Sequence, residues 1–225
     1  MKTLILSLGG SLIAPDKPDY FFLREFKNFV ISRLDKYRFV IVCGGGKTAS
    51  YYVQAAGRVS RMSDESLDWI GIMATRLNGE LVRAIFGELA CENVVYNPKE
   101  KIKTDKKIIV AAGYKPGWST DYDSVLLAKQ FRAAEIINMT NIDYVYDKDP
   151  GKNKDAKKLL DISWREYRRI AGSKWSPRLN LPFDPIASRE AQKKKLKAVI
   201  LNGKDLQNLD NYLLEKDFKG TIIHG

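Results

Sequence analysis

The chain has 225 residues and a formal net charge of +11, with 44% hydrophobic and 29% charged residues. That length buries a substantial core in one large α/β domain or two packed lobes, and the balance excludes a disordered or fibrous chain. No run approaches the ~20 apolar residues that cross a bilayer, the apolar start is too short for a secretory leader, and Cys43 and Cys91 form neither a metal-ligand spacing nor a disulfide framework.

A cytoplasmic setting without membrane contact is therefore expected. The positive charge favours anionic partners, from polyanions to small phosphorylated ligands. Much of the excess lies in runs at residues 99–107 and at Lys193, Lys194, Lys195 and Lys197. Such runs are ordinarily solvated loops and helix ends, so nucleic-acid binding is not expected.

Residues 3–8 are apolar and β-branched, and read as a buried strand running into Gly9, Gly10 and Ser11. A helix is predicted over 20–36, then a strand over 39–43 that ends in Gly44, Gly45, Gly46 and Lys47, where a helix over 47–59 opens. A longer helix comes next over 65–89, with Leu67, Ile70, Ala74, Leu77, Leu81 and Ile85 at core-facing spacing. Strands are predicted over 93–96 and 107–112. The second of these leads into a loop, 113–120, and a helix over 121–131. A strand over 135–139 is succeeded by Thr140, Asn141, Asp143, Tyr146 and Asp149, and by the loop-like stretch 148–158. Helices over 164–170 and 184–195 and strands over 198–201 and 221–223 complete the pattern. Strands alternating with helices at this spacing predict βαβ units, hence an α/β fold with a mainly parallel sheet.

In such sheets ligands bind beyond the carboxyl ends of the strands, so the turn after each strand matters most. Here glycine-bearing turns at Gly9, Gly44 and Gly113 each come directly after a strand. Bare backbone beside the unpaired N–H groups of a helix start favours a phosphate. Neither GxxxxGK[ST] nor GxGxxG is present, which excludes a P-loop or a dinucleotide-binding fingerprint. Lys47 is unfavourable for a helix N-terminus and suits a phosphate partner better.

In the long helix Asp68, Gly71, Thr75 and Asn78 fall on one short-chained polar face. Glycine inside a helix costs about 1 kcal/mol against alanine, which implies close approach by either a ligand or a second helix. Ser119, Thr120 and Asp121 open the next helix, where Thr120 with Asp123 reads as a capping box and Ser119 as the alternative cap. Hydroxyls and N–H groups at such a helix start can also cradle a phosphate.

In their order and spacing, Gly9-Gly10-Ser11, Gly44 to Lys47, Asp68-Trp69-Ile70-Gly71, Thr75-Arg76-Leu77-Asn78, Pro116 to Asp121, Thr140 to Tyr146, Asp149-Pro150 and Asp184 to Ala187 resemble the amino acid kinase superfamily. Within it, the Thr-Arg-x-Asn helix and the Pro-Gly-x-Ser-Thr-Asp loop are most similar to archaeal-type UMP kinases. The resemblance covers nearly the whole chain. It implies a three-layer α/β/α sandwich with an acceptor lobe at about 1–133 and an ATP lobe at about 134–225. It further implies a homo-oligomer (a hexamer), with ATP and Mg²⁺ as cofactors and UMP as acceptor.

By position, the resemblance makes Lys47, Asp184 and Gly10 catalytic. It puts ATP on Gly9, Gly10, Ser11, Thr140, Asn141, Asp143, Tyr146 and Asp149. The acceptor would meet Gly44, Gly45, Gly46, Asp68, Gly71, Thr75, Asn78, Gly113, Ser119, Thr120 and Asp121. The chain departs from the family pattern where Ser7 replaces a frequent lysine, Ser50 an expected arginine and Tyr144 a glycine. These changes leave two other readings open: another small phosphate, phosphonate or carboxylate acceptor, or a nucleotide-binding protein without catalysis.

Overall fold

A computed structural model of the chain describes residues 1–172 and 181–225. In chain order the elements are β1 (Lys2–Leu8), α1 (Gly10–Ile13), α2 (Tyr20–Ile31), β2 (Tyr37–Cys43), α3 (Gly46–Val59), α4 (Asp64–Phe86) and β3 (Ile108–Ala111). They continue with α5 (Thr120–Gln130), β4 (Glu135–Thr140), β5 (Val145–Tyr146), β6 (Lys158–Leu159), β7 (Asp161–Ser163) and α6 (Trp164–Ala171). The last are α7 (Pro185–Lys193), β8 (Lys197–Asn202), α8 (Leu206–Leu213) and β9 (Thr221–His224).

Seven strands form one sheet in the order β3-β2-β1-β4-β8-β9-β7, and β5 with β6 makes a separate two-stranded ribbon. The pairs from β3 to β8 are parallel, β8 and β9 run antiparallel, and β9 and β7 pair in parallel. The strands are apolar on both faces because helices cover both. Leu4, Leu6, Leu8, Phe39 and Ile41 pack with Phe22 and Phe26 of α2, Val82 and Phe86 of α4, and Leu209 of α8. Ile5, Val40 and Val42 face the other way, against Val125 and Leu127 of α5, Trp164 and Tyr167 of α6, and Ala187 of α7. The result is the expected three-layer α/β/α sandwich with a mainly parallel sheet.

Several local expectations are corrected. No strand forms over 93–96: Val95 makes a single bridge to Ala111, so the chain only brushes the edge of the sheet. The helix predicted over 20–36 stops at Ile31, and turns then deliver the chain to β2. On α4 the buried face comprises Ile72, Ala74, Thr75, Asn78, Gly79, Val82 and Phe86, whereas Leu77 is 63% exposed. The core-facing stripe is thus rotated toward the polar residues, because their side chains are engaged by loops rather than by water. The cap of α5 is Ser119, whose hydroxyl accepts from Tyr122 N, and not Thr120. Among the described residues, no helix is long and apolar enough to cross a membrane.

Candidate active site

A cleft of about 640 Å³ opens at the carboxyl ends of the central strands. Its walls are the turns after β1 (Gly10, Ser11), β2 (Gly45, Gly46), β3 (Gly113, Trp118 to Asp121) and β4 (Thr140, Asn141), with one face of α4 and with Asp184. The three glycine turns therefore meet at one place, where a parallel sheet offers its ligand site.

Two of these turns fit together only because they lack side chains. A Cβ on Gly10 would lie 2.0 Å from Gly46 N, and one on Gly46 would lie 2.3 Å from Gly10 O. Gly46 also has φ +61°, a left-handed conformation that favours glycine. The N-termini of α3 and α5 reach the cleft through Gly46 and Thr120, so unpaired N–H groups and positive dipole ends gather there, whereas α7 opens on Pro185, which has no N–H, and its Ala187 N–H is taken by Asp184.

The polar face of α4 ties the loops down. Asn78 donates to Gly44 O at 2.8 Å and to Gly45 O at 3.3 Å. The Thr75 hydroxyl accepts from Gly113 N at 2.8 Å, and Asp68 accepts from Gly117 N at 2.8 Å. Of the two explanations for Gly71, close packing by a second helix is not what the described residues show, since none of them lies within 4 Å of a Cβ built there. Its bare backbone faces the cleft.

The opposite wall carries the carboxylates. Asp121 accepts from Ser7 Oγ at 3.3 Å and from Asp184 N at 2.9 Å. Burial pushes its pKa up to about 7; the Asp184 charge adds to the rise, while the Asp184 N–H and Ser7 hydroxyl oppose it. Asp184 caps α7 by accepting from Ala187 N at 2.6 Å, and burial raises its pKa as well. Behind it the buried Tyr167 hydroxyl donates to Phe183 O and accepts from Phe183 N, fixing the segment that presents Asp184. Asn138 completes this wall by donating to Pro182 O at 2.7 Å.

Among the described residues the lining holds Asp68, Asp121 and Asp184 and no lysine, arginine or histidine. Anion recognition in the described part of the cleft therefore falls to backbone N–H groups and hydroxyls. Ser50 lines the cleft where the resemblance called for arginine.

Several predicted site residues stand outside the lining. Gly9 N donates to Met139 O and Gly44 N to Leu8 O, so both residues knit turns to strands. Lys47 is exposed in the first turn of α3, beside Gly46. Asp143 accepts from Asn202, Tyr146 lies in the β5–β6 ribbon, and Asp149 closes its own turn by accepting from Gly151 N. Trp118, Ile72 and Val53 line the cleft without having been named as site residues in the sequence, and Leu67, expected to face the core, lines it as well. Of these only Trp118 carried a signal, as the large aromatic inside a glycine-bearing loop.

Comparison with known proteins agrees with this architecture. Residues 2–202 match the amino acid kinase family. The chain is 34% identical over 223 residues to a uridylate kinase of Pyrococcus abyssi, covering 98% of each chain. It is 32% identical over 230 residues to a uridylate kinase of Thermococcus kodakarensis, again covering 98% of each. Among solved structures, a uridylate kinase of Archaeoglobus fulgidus superposes with a TM-score of 0.82 at 30% identity, over 99% of this chain and 100% of that one. With its full-length relatives, its sheet order and its glycine-lined cleft, the chain belongs to the amino acid kinase family.

Proposed function

We propose that the chain is an ATP-dependent UMP kinase, which passes the γ-phosphoryl group of ATP to UMP and releases UDP and ADP. The observation that carries this reading is the convergence of the N-termini of α3 and α5 and the Gly10–Gly46 contact on one cleft, in a chain similar over its length to uridylate kinases. A UMP phosphate oxygen is already anionic, so its attack on the γ-phosphorus needs no general base. Positioning and charge neutralisation are what remain for the protein to supply.

In this reading Gly10, Gly45, Gly46 and the start of α5 direct N–H groups at the phosphates, and Lys47 closes over them from the first turn of α3. Asp68, Gly71, Thr75 and the 113–120 loop form the acceptor side, while Ser11, Thr140 and Asn141 form the ATP side. Mg²⁺ is held characteristically by one or two carboxylates together with substrate phosphates, and Asp184 and Asp121 on one wall fit that donor set. When bound, the ion would neutralise charge on the transferring phosphates. Asp184 orients cationic groups and removes no proton. An N-terminal acceptor lobe, a C-terminal ATP lobe, a homo-oligomeric (hexameric) assembly and a cytoplasmic setting belong to the same proposal.

The presence of Ser50 in the cleft wall favours one second reading, the same transfer to a different small phosphate or phosphonate. An ADP-release assay with UMP, CMP, isopentenyl phosphate and acetylglutamate decides between them. The proposal expects UMP to give the highest kcat/KM. Turnover on another acceptor alone, or none on any, would overturn it.

A further inference from the structure

Gly113 and Tyr114 open the loop that, in the reading just proposed, holds the acceptor. Every polar main-chain group of this pair is bonded to a side chain. Gly113 N donates to Thr75 Oγ1 at 2.8 Å, and Gly113 O accepts from Arg76 Nε at 3.2 Å. Tyr114 N donates to Asp123 Oδ2 at 3.2 Å, and Tyr114 O accepts from Arg76 Nη2 at 3.0 Å. Ordinarily such groups pair with other backbone or with water. Here two neighbouring residues of α4 and one of α5 do all of it.

Arg76 is the hub of the arrangement. Its guanidinium bridges two successive carbonyls, a fork geometry that an ammonium cannot reproduce. The guanidinium carbon lies 4.5 Å from the Tyr96 ring centroid and 5.8 Å from that of Trp69. This aromatic seat limits the directions in which the fork can point. Asp123 is buried, and its second carboxylate oxygen has no partner among the described residues. Its placement therefore serves the Tyr114 bond rather than a wider network. Asp68, on the same helix as Arg76, holds Gly117 further along the loop.

We infer that Arg76, assisted by Thr75 and Asp123, is the positioning residue for the acceptor side of the cleft, fixing the Gly113–Tyr114 backbone without itself lining the cleft. Arg76 lines no part of the cleft, and its Nε and Nη2 are bonded to the Gly113 and Tyr114 carbonyls, so its loss acts by freeing the loop rather than by removing a phosphate contact. The inference rests on the acceptor role of residues 113–120, and two measurements keep the two ideas separable.

The first is amide hydrogen exchange in the full-length protein, which needs no turnover. Arg76→Gln should speed exchange at the amides of Gly113, Tyr114, Lys115 and Gly117 by about 10-fold or more while α4 and the sheet keep their protection. The second is steady-state kinetics: KM for UMP should rise by about 10-fold or more, with KM for ATP within about 2-fold. Arg76→Lys should recover part of both effects, and it carries the test alone if the glutamine variant does not fold. Unchanged exchange at those amides overturns the clamp. Faster exchange with an unchanged KM for UMP, or with both KM values rising together, overturns its acceptor-side role. If the native protein phosphorylates no acceptor, the kinase reading fails, and with it that role, while the exchange result still decides the clamp.

Discussion

Gly10 and Gly46 lie so close that neither has room for a methyl group: a Cβ on either would fall 2.0 to 2.3 Å from backbone atoms of the other. Two strands thereby present their adjoining turns as one surface. Gly10→Ala should destabilise the fold by about 1–3 kcal/mol through overpacking. Because the two backbones would have to part, turnover should drop by about 100-fold or more. Denaturant unfolding with steady-state kinetics checks both; a near-native rate would mean that the turns tolerate separation.

Gly71 should behave in the opposite way. A Cβ there meets open space, and alanine is favoured over glycine inside a helix by about 1 kcal/mol. Gly71→Ala should therefore raise the unfolding midpoint while increasing KM for the acceptor, since the methyl group projects into the cleft. A gain in stability with unchanged KM would remove Gly71 from the acceptor side.

Lys47 is the exposed cation next to the Gly10–Gly46 contact. Lys47→Ala should lower kcat by about 100-fold while shifting either KM by no more than about 3-fold. The reverse pattern, a large KM change at constant kcat, would make it a residue for ground-state binding only.

Asp121 and Asp123 should make stability fall as pH rises. Burial pushes both up to about 7, above the 3.8 of an exposed aspartate. The native state thus holds protons that the unfolded chain has released, and the associated stability is full below about 4 and lost as pH passes through about 7. Between pH 5 and pH 8.5 the unfolding free energy of Asp123→Asn should move in the variant's favour relative to the native protein, by an amount on the order of 2 kcal/mol. Parallel pH profiles for variant and native protein would contradict this.

Glu135 should show the opposite sign. Burial raises its pKa, but the bonds from Lys197, Lys2 and Tyr212 outweigh burial and hold it below its ordinary value. Its contribution is present above the ordinary carboxylate range and is lost as pH falls through the lowered value. Glu135→Ala should cost about 2 kcal/mol at pH 7, less than a fully enclosed pair because both lysines are partly exposed, and should leave KM for ATP and UMP unchanged.

The sheet-forming runs and the turns after them were legible because a buried parallel strand is a continuous apolar run and each of these turns needs glycine. Short elements were not: α1, the β5–β6 ribbon and β7 have too few residues to show a period, and tertiary contacts hold them. The helix α8 did carry a signal, with Asp205 as cap before Leu206, Leu209 and Leu213. On α4 the phase differs from the expected one for a physical reason. Thr75 and Asn78 are polar yet buried, because their partners Gly113 and Gly44 lie more than thirty positions away in the chain. Periodicity reports the solvent preference of a residue, not a distant bond that satisfies it.

The pairing of β1 with both β2 and β4 has a consequence for biosynthesis. As the nascent chain leaves the ribosome, β1 and β2 can associate early, but the far margin of β1 stays open until residues 135–140 emerge. Throughout that interval an apolar, hydrogen-bond-hungry border is available to other chains. Translation speed across the first 140 residues should consequently govern the yield of native protein.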